Sequence, residues 1–378
     1  MTHSDLIRHL SRSFRITACL LLGGFSLPHL SAQNRTWSAG TGGTDFNNGS
    51  NYSPTGTLAG TDNLIFETET SAALDLDAGL GINSVVIDGG ADGFILSSAN
   101  ASGLTVNSGG ITVAASTEAT FNVRINANGG ATQMTFDVGT GGTLNANGLV
   151  VPFTKAFYKT GAGLLYLDQG MGTNAQNHLR TGASINIEEG TLEVGNSARF
   201  EPGTGFVGTL MVNVGTVDSA ATLKGGGSFV GVASKPVVLN TFGVSQSFLE
   251  PAGDGTLAIE NLNAAAGATF RFDLGSDLIF GTGTLTGSSA AGGMTLDLSG
   301  GTTGVLYTLF QYGSLSGVDV SDFAITNPGY SVDFWDISGG EVKVQFSSVI
   351  PEPGYVGLML LVGLAQLMKR SPRRRGVR

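Results

Sequence analysis

The chain is poor in the residues that most enzymes and metal proteins rely on. Its single cysteine, Cys19, lies near the N-terminus. The rest of the chain therefore has no disulfide framework, no thiolate nucleophile and no cysteine zinc site. Of the four histidines, His3, His9 and His29 lie in the same N-terminal stretch, leaving His178 in the polar loop Asn174-Ala175-Gln176-Asn177-His178. A Ser-His-Asp triad could use that residue alone, and no G-x-S-x-G elbow accompanies it. Charged residues make up 13% of the chain, about half the ~25% of an ordinary globular domain. Stretches able to form a long helix are equally scarce. Only 61–78 and 111–128 run for 18 residues without glycine or proline between residues 33 and 350.

Glycine is what the chain has in quantity: 59 of 378 residues. There is no G-X-Y period, and 41% of residues are apolar, so collagen and charged disorder are both excluded. Short alternating stretches recur between the glycines. Leu74-Asp75-Leu76-Asp77, Ser84-Val85-Val86-Ile87, Leu104-Thr105-Val106, Phe121-Asn122-Val123-Arg124-Ile125 and Thr143-Leu144-Asn145 are examples. They are separated by turns such as Asp88-Gly89-Gly90 and Asn107-Ser108-Gly109-Gly110. Alternation between such turns marks β-strands, and Gly and Asn supply positive-φ corners. A sandwich would show similar spacing. Strands this short, however, leave little face for a two-sheet core, whereas stacked coils bury them against their neighbours. The expected fold is all-β: a right-handed parallel β-helix or solenoid-like body with a C-terminal β cap, followed by a short C-terminal transmembrane helix. The phenylalanines read as ladders inside that core.

Both ends read as targeting signals. Arg8, Arg12 and Arg15 precede an apolar run from Ile16 to Phe25, and Leu30-Ser31-Ala32 offers a loose small-residue site with cleavage after Ala32. At the other end, Pro351-Glu352-Pro353 is followed by an apolar run from Gly354 to Met368. Lys369, Arg370, Arg373, Arg374, Arg375 and Arg378 come next. A helix over that run spans ~22 Å against a hydrocarbon core of ~30 Å. Snorkelling by Lys369 and Arg370 and local thinning make up part of the difference, with the basic residues held in the cytoplasm. Without these ends, residues 33–350 hold 10 basic and 27 acidic residues, a net charge of −17. That sign excludes nucleic acid and anionic lipid surfaces as partners.

The Pro-Glu-Pro triplet, short apolar helix and arginine-rich end resemble the PEP-CTERM sorting signal of Gram-negative bacteria. The resemblance implies recognition by an exosortase, a membrane-embedded transpeptidase-like protease acting near Pro351-Glu352-Pro353, after export by the Sec machinery and signal peptidase. A second resemblance lies in the middle of the chain. Lys159-Thr160-Gly161-Ala162-Gly163-Leu164-Leu165-Tyr166-Leu167 and then Ile185-Asn186-Ile187-Glu188-Glu189-Gly190-Thr191-Leu192-Glu193-Val194-Gly195 resemble one unit of the autotransporter-associated β-strand repeat. The divisions are 1–32 signal peptide, 33–155 N-terminal solenoid, 156–267 repeat region, 268–348 β cap and 349–378 sorting signal. No β-barrel pattern closes the chain, which argues against a true autotransporter.

Carboxylates are the only abundant reagents. Asp75 and Asp77 lie two apart on a strand, so both face outward while Leu74 and Leu76 face in. Asp88 and Asp92 flank a Gly-rich turn that is similar to a calcium-binding one but does not keep its nonapeptide period. These four aspartates are the only Ca²⁺ candidates; otherwise no metal and no cofactor is expected. Adjacent Glu188 and Glu189 diverge on a strand. Gly203-Thr204-Gly205-Phe206-Val207-Gly208 fits G-x-G-x-x-G, but β-like residues follow it where a nucleotide site needs a helix. The expected function is that of a non-enzymatic protein of the cell surface or extracellular matrix, structural or adhesive, with exopolysaccharide as a candidate partner. It would be held briefly at the inner membrane before release. The alternative is a secreted β-helix polysaccharide lyase or hydrolase using outward carboxylates.

Overall fold

The computed structural model describes residues 32–349 apart from short internal stretches, the longest being 169–183. Among the described residues the chain is almost wholly β, with three single turns of 3₁₀ helix as the only helical structure. Strands of two to eleven residues stack into three parallel walls. The first sheet has 15 strands and runs from Tyr52–Ser53 to Ser314–Ser316. The second has 11, from Leu74–Asp75 to Phe323–Ile325, and the third has seven, from Arg199–Phe200 to Tyr330–Ser338. Before the third sheet begins, its side of the coil is occupied by Leu80–Ile82, Leu104–Val106, Ile125–Ala127 and Val150–Val151, paired into the first sheet. This is the parallel β-solenoid expected from the strand lengths.

The period of two explains which residues face the interior. In Asn63–Phe66, Leu64 and Phe66 are buried and the residues between them are partly exposed. The same alternation repeats in Gln133–Val138, Leu164–Leu167 and Leu210–Val214. Parallel pairing in register then sets each inward side chain upon an inward side chain of the next coil. Leu144, Leu165, Leu192, Leu223, Leu249, Phe270 and Leu296 form one such column in the second sheet. Aromatic rings also meet between coils, in register for Phe200 and Phe229 and diagonally for Phe94 and Phe121, since Phe94 pairs with Ala119 and Leu96 with Phe121. Phe66 meets Phe94 at 4.7 Å between ring centroids and Phe94 meets Phe121 at 5.5 Å, while Phe200 stacks on Phe229 at 4.4 Å.

Glycine closes the corners. Gly161 has φ +71° and Gly190 φ +70°. A Cβ on Gly190 would lie 2.5 Å from the Gly161 carbonyl oxygen, so two successive coils need glycine at the same corner for conformation and for space.

Each end of the stack is finished differently. At the N-terminal end Tyr52–Ser53 folds back antiparallel on Asn34–Trp37, and Pro54 ends this edge strand after two residues. Trp37, Phe46 and Tyr52 close over Phe66. Tyr52 donates to the Phe46 carbonyl at 3.0 Å. Burial, with help from the Asp45 charge, pushes its phenol up from its ordinary value. Buried Arg35 fastens the following loop, donating to Asp62 at 2.6 Å, to the Pro54 carbonyl at 2.8 Å and to the Thr57 carbonyl at 3.2 Å.

The residues expected to form the C-terminal cap, 268–348, divide in two. Ala268–Leu274, Met294–Gly300 and Phe323–Ile325 still pair in parallel as ordinary coils. Pairing turns antiparallel only where Glu341–Val349 inserts between Leu306–Gln311 and Tyr330–Ser338. The long strands and added aromatics of 268–300 thus belong to the core: Phe270 and Phe272 point inward and meet Phe310 at 5.1 and 5.3 Å. Trp335 covers the end of the stack, lying on Phe323 at 5.3 Å. The outermost strand carries register shifts around Val332 together with Asp333 and Asp336, which discourage edge-to-edge pairing.

Phe94 contacts the rings of both neighbouring coils, so Phe94→Ala removes two aromatic contacts and leaves a cavity. The expected loss is about 3–5 kcal/mol in urea unfolding. A loss below about 1 kcal/mol would contradict the packing of Phe94 between the rings of Phe66 and Phe121.

Candidate functional site: a trough along one corner

The outer faces carry ladders of their own. On the first sheet Asn213 donates to Asn186 at 2.8 Å, Asn240 to Asn213 at 3.1 Å and Asn263 to Asn240 at 2.9 Å. On the second sheet Glu193 opposes Lys224, Lys224 opposes Glu250, and Arg271 opposes Asp297. Charge therefore alternates from coil to coil. Lys224 lies 3.2 Å from Glu250, and Arg271 lies 3.5 Å from both Glu250 and Asp297. The Arg271 guanidinium also covers the Phe248 ring at 4.2 Å.

Where second-sheet strands end, small residues open a trough. One cleft of about 370 Å³ is lined by Tyr166, Asp168, Glu193, Asn196 and Ser197 over Gly195, Gly225 and Gly226. A second, of about 410 Å³, is lined by Glu250, Arg271, Asp273, Asp277 and Asp297, and the two share Ala252. Gly195 keeps the first cleft open: a Cβ there would lie 2.7 Å from Asp168 Oδ1 and 3.0 Å from the Tyr166 hydroxyl. Asp277 accepts hydrogen bonds from the Asp273 backbone at 2.7 Å and from Ser276 at 3.0 Å. Burial pushes its carboxyl up, against those two hydrogen bonds and with the Asp273 and Glu250 charges. Burial and the charges of Asp168 and Glu193 likewise raise the Tyr166 phenol. The trough thus presents carboxylates and hydroxyls held by mutual pairing. Sequence reasoning did not find it, because the ladder residues are spaced irregularly along the chain and only the coil register aligns them.

The carboxylates singled out from the sequence lie elsewhere. Asp75 and Asp77 do come together. Their side chains share a hydrogen bond, and that bond and the Asp75 charge push the Asp77 carboxyl up, with a smaller contribution from Asp45. Asp88 instead caps a 3₁₀ turn, accepting from Gly89 at 2.8 Å, and Asp92 accepts from the Glu118 backbone at 2.8 Å. Both therefore serve turns of the coil and do not join Asp75 and Asp77. Among the described residues no cluster of three or more His, Cys, Asp or Glu is placed to hold a metal ion. Glu188 and Glu189 sit at a corner where Glu189 contributes its backbone carbonyl.

That carbonyl belongs to an arrangement the sequence did not reveal. Lys159 shares the inward parity of Phe157 and is wholly buried. Its ammonium donates to the carbonyls of Thr160 at 2.7 Å, Gly161 at 2.5 Å and Glu189 at 3.1 Å. These carbonyls come from the corners of two successive coils, so one side chain ties the coils together. Burial lowers its pKa to about 8 despite the opposing pull of Asp137 and Glu189.

No family model, curated protein or solved structure matches the chain. The signal cleavage after Ala32, His178, most of the glycine-rich motif at 203–208, Pro351-Glu352-Pro353 and the basic residues Lys369, Arg370, Arg373, Arg374 and Arg375 involve positions outside the described residues. Among the described residues no helix is long and apolar enough to cross a membrane.

The unfolded chain keeps the Lys159 proton up to the free-lysine value, above the folded one, so it binds more protons between about pH 8 and 10. Stability in that range should rise with pH, by at most about 1.4 kcal/mol per unit. Lys159→Met should lack this gain, and urea unfolding from pH 7 to 10 measures the difference. Parallel pH profiles for the two proteins would contradict a buried, depressed lysine.

Proposed function

We propose that the chain is a non-enzymatic, exported structural or adhesive protein of the cell surface or extracellular matrix. Its outward polar residues carry this reading, because they serve the scaffold. Asn186, Asn213, Asn240 and Asn263 bind one another, Lys224 and Arg271 pair with neighbouring acids, and Asp88 and Asp92 hold turns. Stacked parallel coils, wound right-handed by the usual preference of parallel crossovers, suit a stiff acidic spacer with a net charge of −17 over residues 33–350.

Export would use the Sec machinery and signal peptidase. Residues 354–368 would then act as a short transmembrane helix and transient inner-membrane anchor, stopped by Lys369, Arg370, Arg373, Arg374 and Arg375. An exosortase acting at Pro351-Glu352-Pro353 would release the body. The contact between Asp75 and Asp77 and the raised Asp77 carboxyl favour a second reading, that of a secreted β-helix polysaccharide lyase or hydrolase with Ca²⁺ as a cofactor to test.

Glu352→Ala should leave the protein in the inner-membrane fraction while wild type moves outward. Equal partition of the two would overturn sorting at this motif. Turnover of neutral or acidic polysaccharides, with or without Ca²⁺, would replace the structural reading with the enzymatic one.

A further inference from the structure

We propose that the corner trough binds a linear polysaccharide without acidic groups, laid along the solenoid axis. The inference rests on the reading of the chain as a non-catalytic surface or matrix protein, and it assigns that protein a ligand-binding surface. Four observations lead to it. First, the two clefts share Ala252 and together cross several coils, so the site is elongated and suits a chain better than a compact molecule. Second, the rungs repeat every ~4.8 Å, close to the length of one sugar ring, and acid alternates with base along them, so like groups recur at every second sugar of an extended glycan.

Third, the walls recognise through side chains. The second-sheet strands beside the trough already pair on both sides, leaving no backbone edge for an extended peptide to join. What remains are carboxylates and hydroxyls, each with acceptor capacity beyond its present partners, and these match sugar hydroxyls. Arg271 is fixed between Glu250 and Asp297, and Asp297 also accepts from Asn327 at 2.9 Å. The polar array is thereby organised before a ligand arrives, which lowers the ordering cost of binding. Fourth, the lining opposes acidic sugars. Asp168, Glu193, Glu250, Asp273, Asp277 and Asp297 face the trough; among the described residues Arg271 is the one cation lining it, with Lys224 paired to Glu250 beside it. Uronate chains would meet like charge, whereas neutral hydroxyls would not.

Ala252 is the position at which to block the trough, because it lines both clefts and is only partly buried. The experiment measures binding of the full chain to neutral cello- and manno-oligosaccharides and to oligogalacturonate at physiological salt, with release of reducing ends followed in parallel. The expected result is binding of a neutral oligosaccharide without cleavage, at least tenfold weaker oligogalacturonate binding, and at least tenfold loss in Ala252→Trp with an unchanged melting temperature. Glu250→Gln, which keeps the shape of the trough, should relax discrimination against oligogalacturonate. Failure to bind any neutral probe, preference for oligogalacturonate, or unchanged binding by Ala252→Trp would overturn the proposal. Binding accompanied by cleavage would support the trough while overturning the non-catalytic reading, so the two failures are distinct.

Discussion

Everything in this molecule depends on parallel strands pairing in register, so that each inward side chain rests on one from the next coil. A strand of four residues buries too little to be stable alone, since a fully buried Leu or Phe contributes about 1.5–3 kcal/mol against a backbone ordering cost of about 1–2 kcal/mol per residue. Stacking changes the balance by covering the inward face on both sides. The same register lines up the outer residues, which is how asparagine and charge ladders arise from positions far apart in sequence. The ends are special for the same reason, because a terminal coil has a neighbour on one side only. Trp37, Phe46 and Tyr52 cover one end and Trp335 helps to cover the other.

Lys159 shows how strictly the register applies. It sits in an inward column between Phe136 and Ile187, where an apolar residue would be expected. Burying an ammonium is costly unless its donors are satisfied, and here three corner carbonyls accept from it. Those carbonyls are brought within reach by the glycine corners at Gly161 and Gly190, so the lysine and the two glycines form one local unit.

The strands and corners were legible in the sequence because alternation and glycine punctuation act over a few residues. Leu74-Asp75-Leu76-Asp77 already indicates which side chains face in, and the structure places Asp75 beside Asp77 as the two-residue period requires. The limits of the cap were less legible. Longer strands and more aromatics at 268–300 suggested a new unit, yet Phe270 and Phe272 continue the core of the coils below them. Lys159 could have been found by parity alone, since it lies two residues from Phe157. The trough could not, because the intervals between Glu193, Lys224, Glu250, Arg271 and Asp297 range from 21 to 31 residues and only the coil register aligns them.

Amide hydrogen exchange read peptide by peptide tests the central claim, a single continuous stack, most directly. Strand amides from Leu74 to Ile325 should form one slowly exchanging block that frays from its two ends, as expected for coils stabilised by their neighbours. An interior coil such as Ser184–Ile187 with Gly190–Val194 that exchanged faster than the coils on both sides of it would contradict that claim.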